Sequence, residues 1–158
     1  LGGGMSSRLF QEIREKRGLC YSIFSFTQMQ NSSGVFGFYA GTSPNDVNEL
    51  LEASLNEWKK IKNFISNEEL IRAKAQMRSG FIMGQESNSA RAEYYAKSMI
   101  NFGKLIKTNE VIKKIENISI TSIHNVIDKL FTSANPVLSV IGPNASSFKK
   151  LNIDNLLN

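Results

Sequence analysis

The residues able to do chemistry are few and unevenly placed. One histidine, His124, and one cysteine, Cys20, occur in the 158 residues. Hydrolytic zinc takes about three protein ligands plus an open position, and helical motifs supply two histidines one turn apart with a glutamate beside them. A single histidine does not furnish that set, so no metal ligands are expected in this chain. His124, within SIHNVID, reads as a surface side chain or one with a satisfied partner. Cys20 excludes an internal disulfide and any CxxC motif. As a nucleophile it would need a base, and His124 is far off in sequence, so Cys20 reads as a small packed residue. The run Gly2 to Gly4 lacks the GxxxxGK or GxGxxG context of a phosphate cradle and reads as a flexible or tightly packed loop. On residue type alone, Arg14 is a solvated helix residue at the margin of an apolar stripe, and Tyr21 is a strand aromatic.

The elements that position these residues are legible in the pattern. Residues Ser6 to Arg17 predict a helix with Leu9, Phe10 and Ile13 on one side, and Gly18 after its basic last turn is a stop signal. Leu19 to Thr27 predicts a strand, with Cys20, Ser22, Phe24 and Phe26 on one face and Tyr21, Ile23 and Ser25 on the other. A polar link from Gln28 to Ser33 and a second run, Gly34 to Gly41, complete an antiparallel hairpin. Ser43-Pro44-Asn45-Asp46 predicts a helix start, with serine as cap and proline at the first helical position. The helix carries Val47, Leu50, Leu51, Leu55 and Trp58. Ser66 with Glu69 predicts a capping box opening a long helix through Leu70, Ala73, Met77 and Phe81. Further helices are expected over Ser87 to Phe102, stopped by Gly103, over Thr108 to Ile115, and over Thr121 to Phe131. Pro136 to Ile141 predicts a short closing strand.

This order implies a single domain, 1–158, of the α+β class, with helices packed on one face of a mostly antiparallel sheet. With 41% hydrophobic and 21% charged residues, the chain has the composition of an ordinary globular domain. No apolar run approaches the roughly 18 residues of a membrane-spanning helix, so no membrane span is expected. The net charge of +5 comes from basic residues interspersed with acidic ones, as in REKR and EWKKIK. A nucleic-acid surface would cluster them with aromatic residues, so no nucleic-acid partner is expected. The chain begins with Leu1 and not Met, inside the run-in to a helix, and is expected to be a fragment. Any targeting segment would lie upstream, and the compartment is unknown.

The stretch LGGGMSSRLFQEIREKRGLCY resembles the C-terminal domains, or non-zinc partner subunits, of the pitrilysin/insulinase-type zinc peptidases, which include the mitochondrial processing peptidases. The resemblance rests on LGGG, on SSRLFQEIREKRGL, and on Tyr21 seven residues after Arg14. It continues through YAGTSP, SNEEL and the closing VIGP. It implies a metallopeptidase-type α/β sandwich, incomplete at its N-terminus. It also implies that Arg14 and Tyr21 act together at the cleavage site. Both would bind peptide substrate, with Tyr21 as the catalytic donor. The zinc would be held by a partner domain or subunit bearing HxxEH, with no cofactor in this chain. A domain lacking sheet neighbours would expose an edge strand, so homo-oligomer formation through that edge is a further expectation. The alternative is a non-catalytic structural or assembly subunit with the same fold, a class whose members often lose one of the pair; here both are present.

The isolated chain is predicted to hold no stoichiometric, tightly bound zinc. Metal analysis after dialysis checks this, and one zinc per chain would contradict it.

Overall fold

The computed structural model describes residues 1–29, 32–133 and 136–143. The chain forms two compact units, one of residues 1–64 together with the chain from Ile127 onward, the other of Ile65–Val126.

In the first unit, a helical segment leads into a hairpin of β1 (Cys20–Met29) and β2 (Gly34–Thr42), followed by helix α1 (Val47–Asn63). The strands are antiparallel, with Phe24 opposite Tyr39 and Phe26 opposite Gly37. Ile23, Phe38 and Ala40 face the core, where Leu9, Ile13, Leu19, Cys20, Leu50 and Ala53 join them. Leu9 and Ile13, one turn apart, are fully buried. Burying two such side chains contributes about 3 to 6 kcal/mol before ordering costs are subtracted. On the same side of the hairpin, Trp58 of α1 packs on Phe36 with ring centroids 4.7 Å apart. The expected hairpin with a helix over one face is therefore present.

The glycine run is tightly packed at its start. Ser25 N–H donates to the Gly2 carbonyl at 2.9 Å, and a Cβ on Gly2 would lie 2.6 Å from the Ser25 nitrogen. Only glycine lets the backbone approach β1 this closely.

Two expectations need correction. Helix α1 begins at Val47, because Ser43 to Asp46 forms a turn in which Asp46 N–H donates to the Ser43 carbonyl at 3.1 Å. The Ser43 hydroxyl donates to the Asp46 carboxylate and caps no helical N–H. Pro136 to Ile141 forms no strand. Burial alternates along it as in an extended segment, with Val137 89% and Ile141 97% exposed. Apolar alternation supplies a sheet face, but a strand also needs a ladder partner, and none pairs with it among the described residues. The sheet is two-stranded there.

The second unit contains α2 (Asn67–Gly84), α3 (Asn88–Phe102), α4 (Thr108–Glu116) and the first half of α5 (Ile120–Ser133). The capping box of α2 is complete: Glu69 N–H donates to the Ser66 hydroxyl at 3.1 Å, and Ser66 N–H to the Glu69 carboxylate at 3.0 Å. Gly103 stops α3 in the left-handed conformation at φ 67°. The buried Ser98 hydroxyl donates to the Lys104 carbonyl and accepts from Ile106 N–H, pinning the following loop. In α5, Ile127 is buried and Val126 is exposed. No helix of the described residues is long and apolar enough to cross a membrane.

Replacing the cap with Ser66→Ala is expected to cost about 1 kcal/mol of stability, read as a lower urea midpoint. An unchanged midpoint would show that the cap contributes nothing.

Candidate functional site

Arg14 lies on a seven-residue π-helix, Phe10–Lys16. Such i to i+5 segments are rare and recur at functional sites. The segment ends where Gly18 takes φ 66°, which lets its N–H turn back to the Arg14 carbonyl at 3.1 Å while Leu19 N–H reaches the Ile13 carbonyl at 3.0 Å. The left-handed backbone favours glycine here. One residue later the chain enters β1.

Tyr21 then departs from the alternation that the sequence predicts. Pairing passes from Cys20 opposite Thr42 to Ser22 opposite Gly41, so Tyr21 is the extra residue of a β-bulge. The bulge brings Cys20 and Ile23, three positions apart, into the same core. A regular strand would send those two to opposite faces. Tyr21 is 86% exposed, whereas Ile23, which the alternation puts on its face, is buried.

The structure brings the two expected site residues together. The Arg14 guanidinium carbon lies 5.5 Å from the centroid of the Tyr21 ring and 4.5 Å from that of Phe10. Each cation–π contact contributes about 0.5 to 1 kcal/mol at an exposed position. Glu15 approaches Arg14 Nε only at 3.9 Å, the long limit of an ion pair. Phe10 was assigned by sequence only to the apolar stripe of its helix. Its position four residues before Arg14 is the signal for the stacked role.

Beside Tyr21 opens a shallow concavity of about 480 Å³ lined by Gly18 to Ser22 and Gly41 to Ser43, with Asp46 at its rim. Its walls are tied together by the Thr42 hydroxyl, which donates to the Leu19 carbonyl at 2.5 Å. Burial pushes the Cys20 thiol up from its ordinary value, and the nearby Arg14 charge opposes this to a lesser degree. A protonated buried thiol is a poor nucleophile, in keeping with a packing role. A second hollow, of about 200 Å³, is lined by Arg8, Gln11, Glu12, Lys16 and Glu57. There the hydrogen bond to Lys16 holds Glu12 below its usual range, and the same bond raises Lys16. These charges are occupied with one another.

His124 is half-buried, and its Nε2 has no hydrogen-bond partner among the described residues. Among the described residues, no group of three or more His, Cys, Asp or Glu side chains could hold a metal ion. The residues described do not fit zinc.

Residues 1–77 match the family model of the Peptidase M16 inactive domain, in line with the resemblance to pitrilysin/insulinase-type metallopeptidases. The chain is similar to an "uncharacterized zinc protease" of Rickettsia felis, 41% identical over 143 residues that cover 90% of this chain and 34% of that protein. A protein of the same description from Rickettsia bellii is 43% identical over 144 residues, 90% of this chain and 34% of that one. The chain thus spans about a third of the length of these curated relatives. Among solved structures, a protease from Helicobacter pylori superposes with a TM-score of 0.73 and 26% identity, covering 82% of this chain and 32% of that chain.

The raised folded-state pKa of Cys20 has a definite sign. Its contribution to stability is present below the thiol's unfolded value and is lost as pH rises through the higher folded value. At pH 8, Cys20 is expected to react with a disulfide reagent at least ~10-fold more slowly in the native protein than in urea. Equal rates would contradict its burial.

Proposed function

We propose that this chain is the substrate-clamping, non-zinc domain of a zinc-dependent endopeptidase that cleaves extended peptides. In this reading Arg14 and Tyr21 complete an active site whose metal belongs to an HxxEH-bearing partner domain or subunit. The observation that carries it is the placement of Tyr21 on a bulge, exposed, with the Arg14 guanidinium 5.5 Å from its ring. The family model that residues 1–77 match and the names of the relatives support the same reading.

The chemistry follows from the donors. When a peptide carbonyl is attacked, negative charge gathers on its oxygen, and a phenol held in place donates to that oxyanion with little reorganisation. Tyr21 is free to do so because the bulge directs it out of the core. Arg14 presents a planar fork of N–H donors, suited to one or two backbone carbonyls of an extended peptide. Stacking on Phe10 and Tyr21 limits the guanidinium's rotation, so less entropy is lost when substrate is gripped. The partner's zinc would supply the activated nucleophile; this chain would supply grip and oxyanion stabilisation.

In the full-length protein assembled with its HxxEH-bearing partner, Tyr21→Phe is expected to lower kcat by about 10²- to 10³-fold, with KM little changed. Steady-state cleavage of a fluorogenic peptide measures this. Full turnover in the variant would show that Tyr21 has been assigned wrongly.

A further inference from the structure

The face of the hairpin turned away from the core is not a solvated polar surface. Opposite residues share a face in an antiparallel pair, so this face runs in rows: Ser22 with Gly41, Phe24 with Tyr39, then Phe26 with Gly37. Phe24 and Tyr39 are about half exposed, and their rings meet with centroids 5.3 Å apart. Phe26 lies across Gly37, where a Cβ would come within 2.9 Å of the ring. No residue on this face between Ser22 and Gln28, or between Val35 and Gly41, carries a charge. The first row is also part of the concavity beside Tyr21. A Cβ on Gly41 would stand 3.2 Å from the Ser22 hydroxyl and 3.6 Å from the Tyr39 hydroxyl, so glycine keeps that row low.

We infer that the Phe24–Tyr39 pair is a specificity subsite that receives an aromatic or large apolar side chain of the extended peptide held at Arg14 and Tyr21. This rests on the function proposed above and adds the class of side chain taken. Two features select this occupant. The aromatic row is continuous with the concavity through Ser22 and Gly41. Rows along a strand repeat at about 7 Å, which is also the spacing of same-side residues in an extended peptide. A peptide lying along β1 with one residue over Ser22 and Gly41 therefore carries the side chain two positions on to the Phe24–Tyr39 rings.

The test uses the full-length protein with its partner and pairs of labelled peptides that differ only by phenylalanine or serine at one position, scanned along the sequence. Preference is read both as the ratio of kcat/KM and as the ratio of Kd from fluorescence anisotropy, so it does not depend on turnover. The wild type is expected to prefer phenylalanine about 3- to 10-fold at one position. Phe24→Thr with Tyr39→Thr should abolish that ratio. Tyr21→Phe should lower turnover on both members of a pair equally and preserve the ratio. Should the double variant unfold, as judged by circular dichroism, the single Phe24→Ser replacement is expected to halve the ratio or more. A wild type with no preference at any position, or a preference that survives loss of the rings, overturns the subsite. Loss of the ratio combined with full turnover in Tyr21→Phe would keep the subsite and reject the assigned role of Tyr21.

Discussion

Two buried side chains three residues apart on one strand, Cys20 and Ile23, fix the geometry around them. A regular strand cannot send both inward, because its side chains alternate. The extra residue that reconciles this is Tyr21, which lies exposed in the stretch between the inward-packing Cys20 and Ile23. The apolar core thereby stabilises the exposure of a polar ring. A bulge of this kind re-aims a side chain without loosening the strand that bears it.

The other half of the site is set by how the preceding helix ends. Gly18 in the left-handed conformation reverses the chain within one residue, so the π-helix bearing Arg14 and the strand bearing Tyr21 run close together. Leu9 and Ile13 anchor that helix in the same core as Cys20 and Ile23. Guanidinium and phenol are therefore referred to one rigid cluster, although both face solvent. Such preorganisation is what an oxyanion donor requires, since a donor that must reorient costs free energy at the moment of reaction. In the function proposed above, this chain's part is a stable frame that holds the two donors near each other.

Much of the frame was legible in the sequence because its signals are local. Ser66 with Glu69, Ser87, Gly103 and Gly18 each mark a helix end through contacts within a few residues, and each stands where its chemistry predicts. The hairpin followed from two apolar runs around a polar link. The departures arise where distant packing decides. The bulge at Tyr21 depends on which residues the core of Leu9, Ile13 and Leu50 can accept, and alternation along β1 carries no trace of that. Pro136 to Ile141 has the pattern of a strand, yet pairing depends on a neighbour that its own residues do not specify. Ser43 looked like a helix cap, but its hydroxyl found the Asp46 carboxylate first. Of the site itself, the residue types alone favoured neither role for Arg14 and Tyr21; the family resemblance singled out the pair, and the fold brings its members together with Phe10 beneath.

The central claim is that Arg14 and Tyr21 work as one unit. A double-mutant cycle on kcat/KM, using Arg14→Ala, Tyr21→Phe and the combination in the assembled full-length protein, measures their coupling directly. Residues in contact show interaction energies of about 0.5 to 3 kcal/mol, so the combined loss is predicted to fall short of the sum of the two single losses by an amount in that range. Strict additivity would mean that the two side chains act independently, and the account would be wrong.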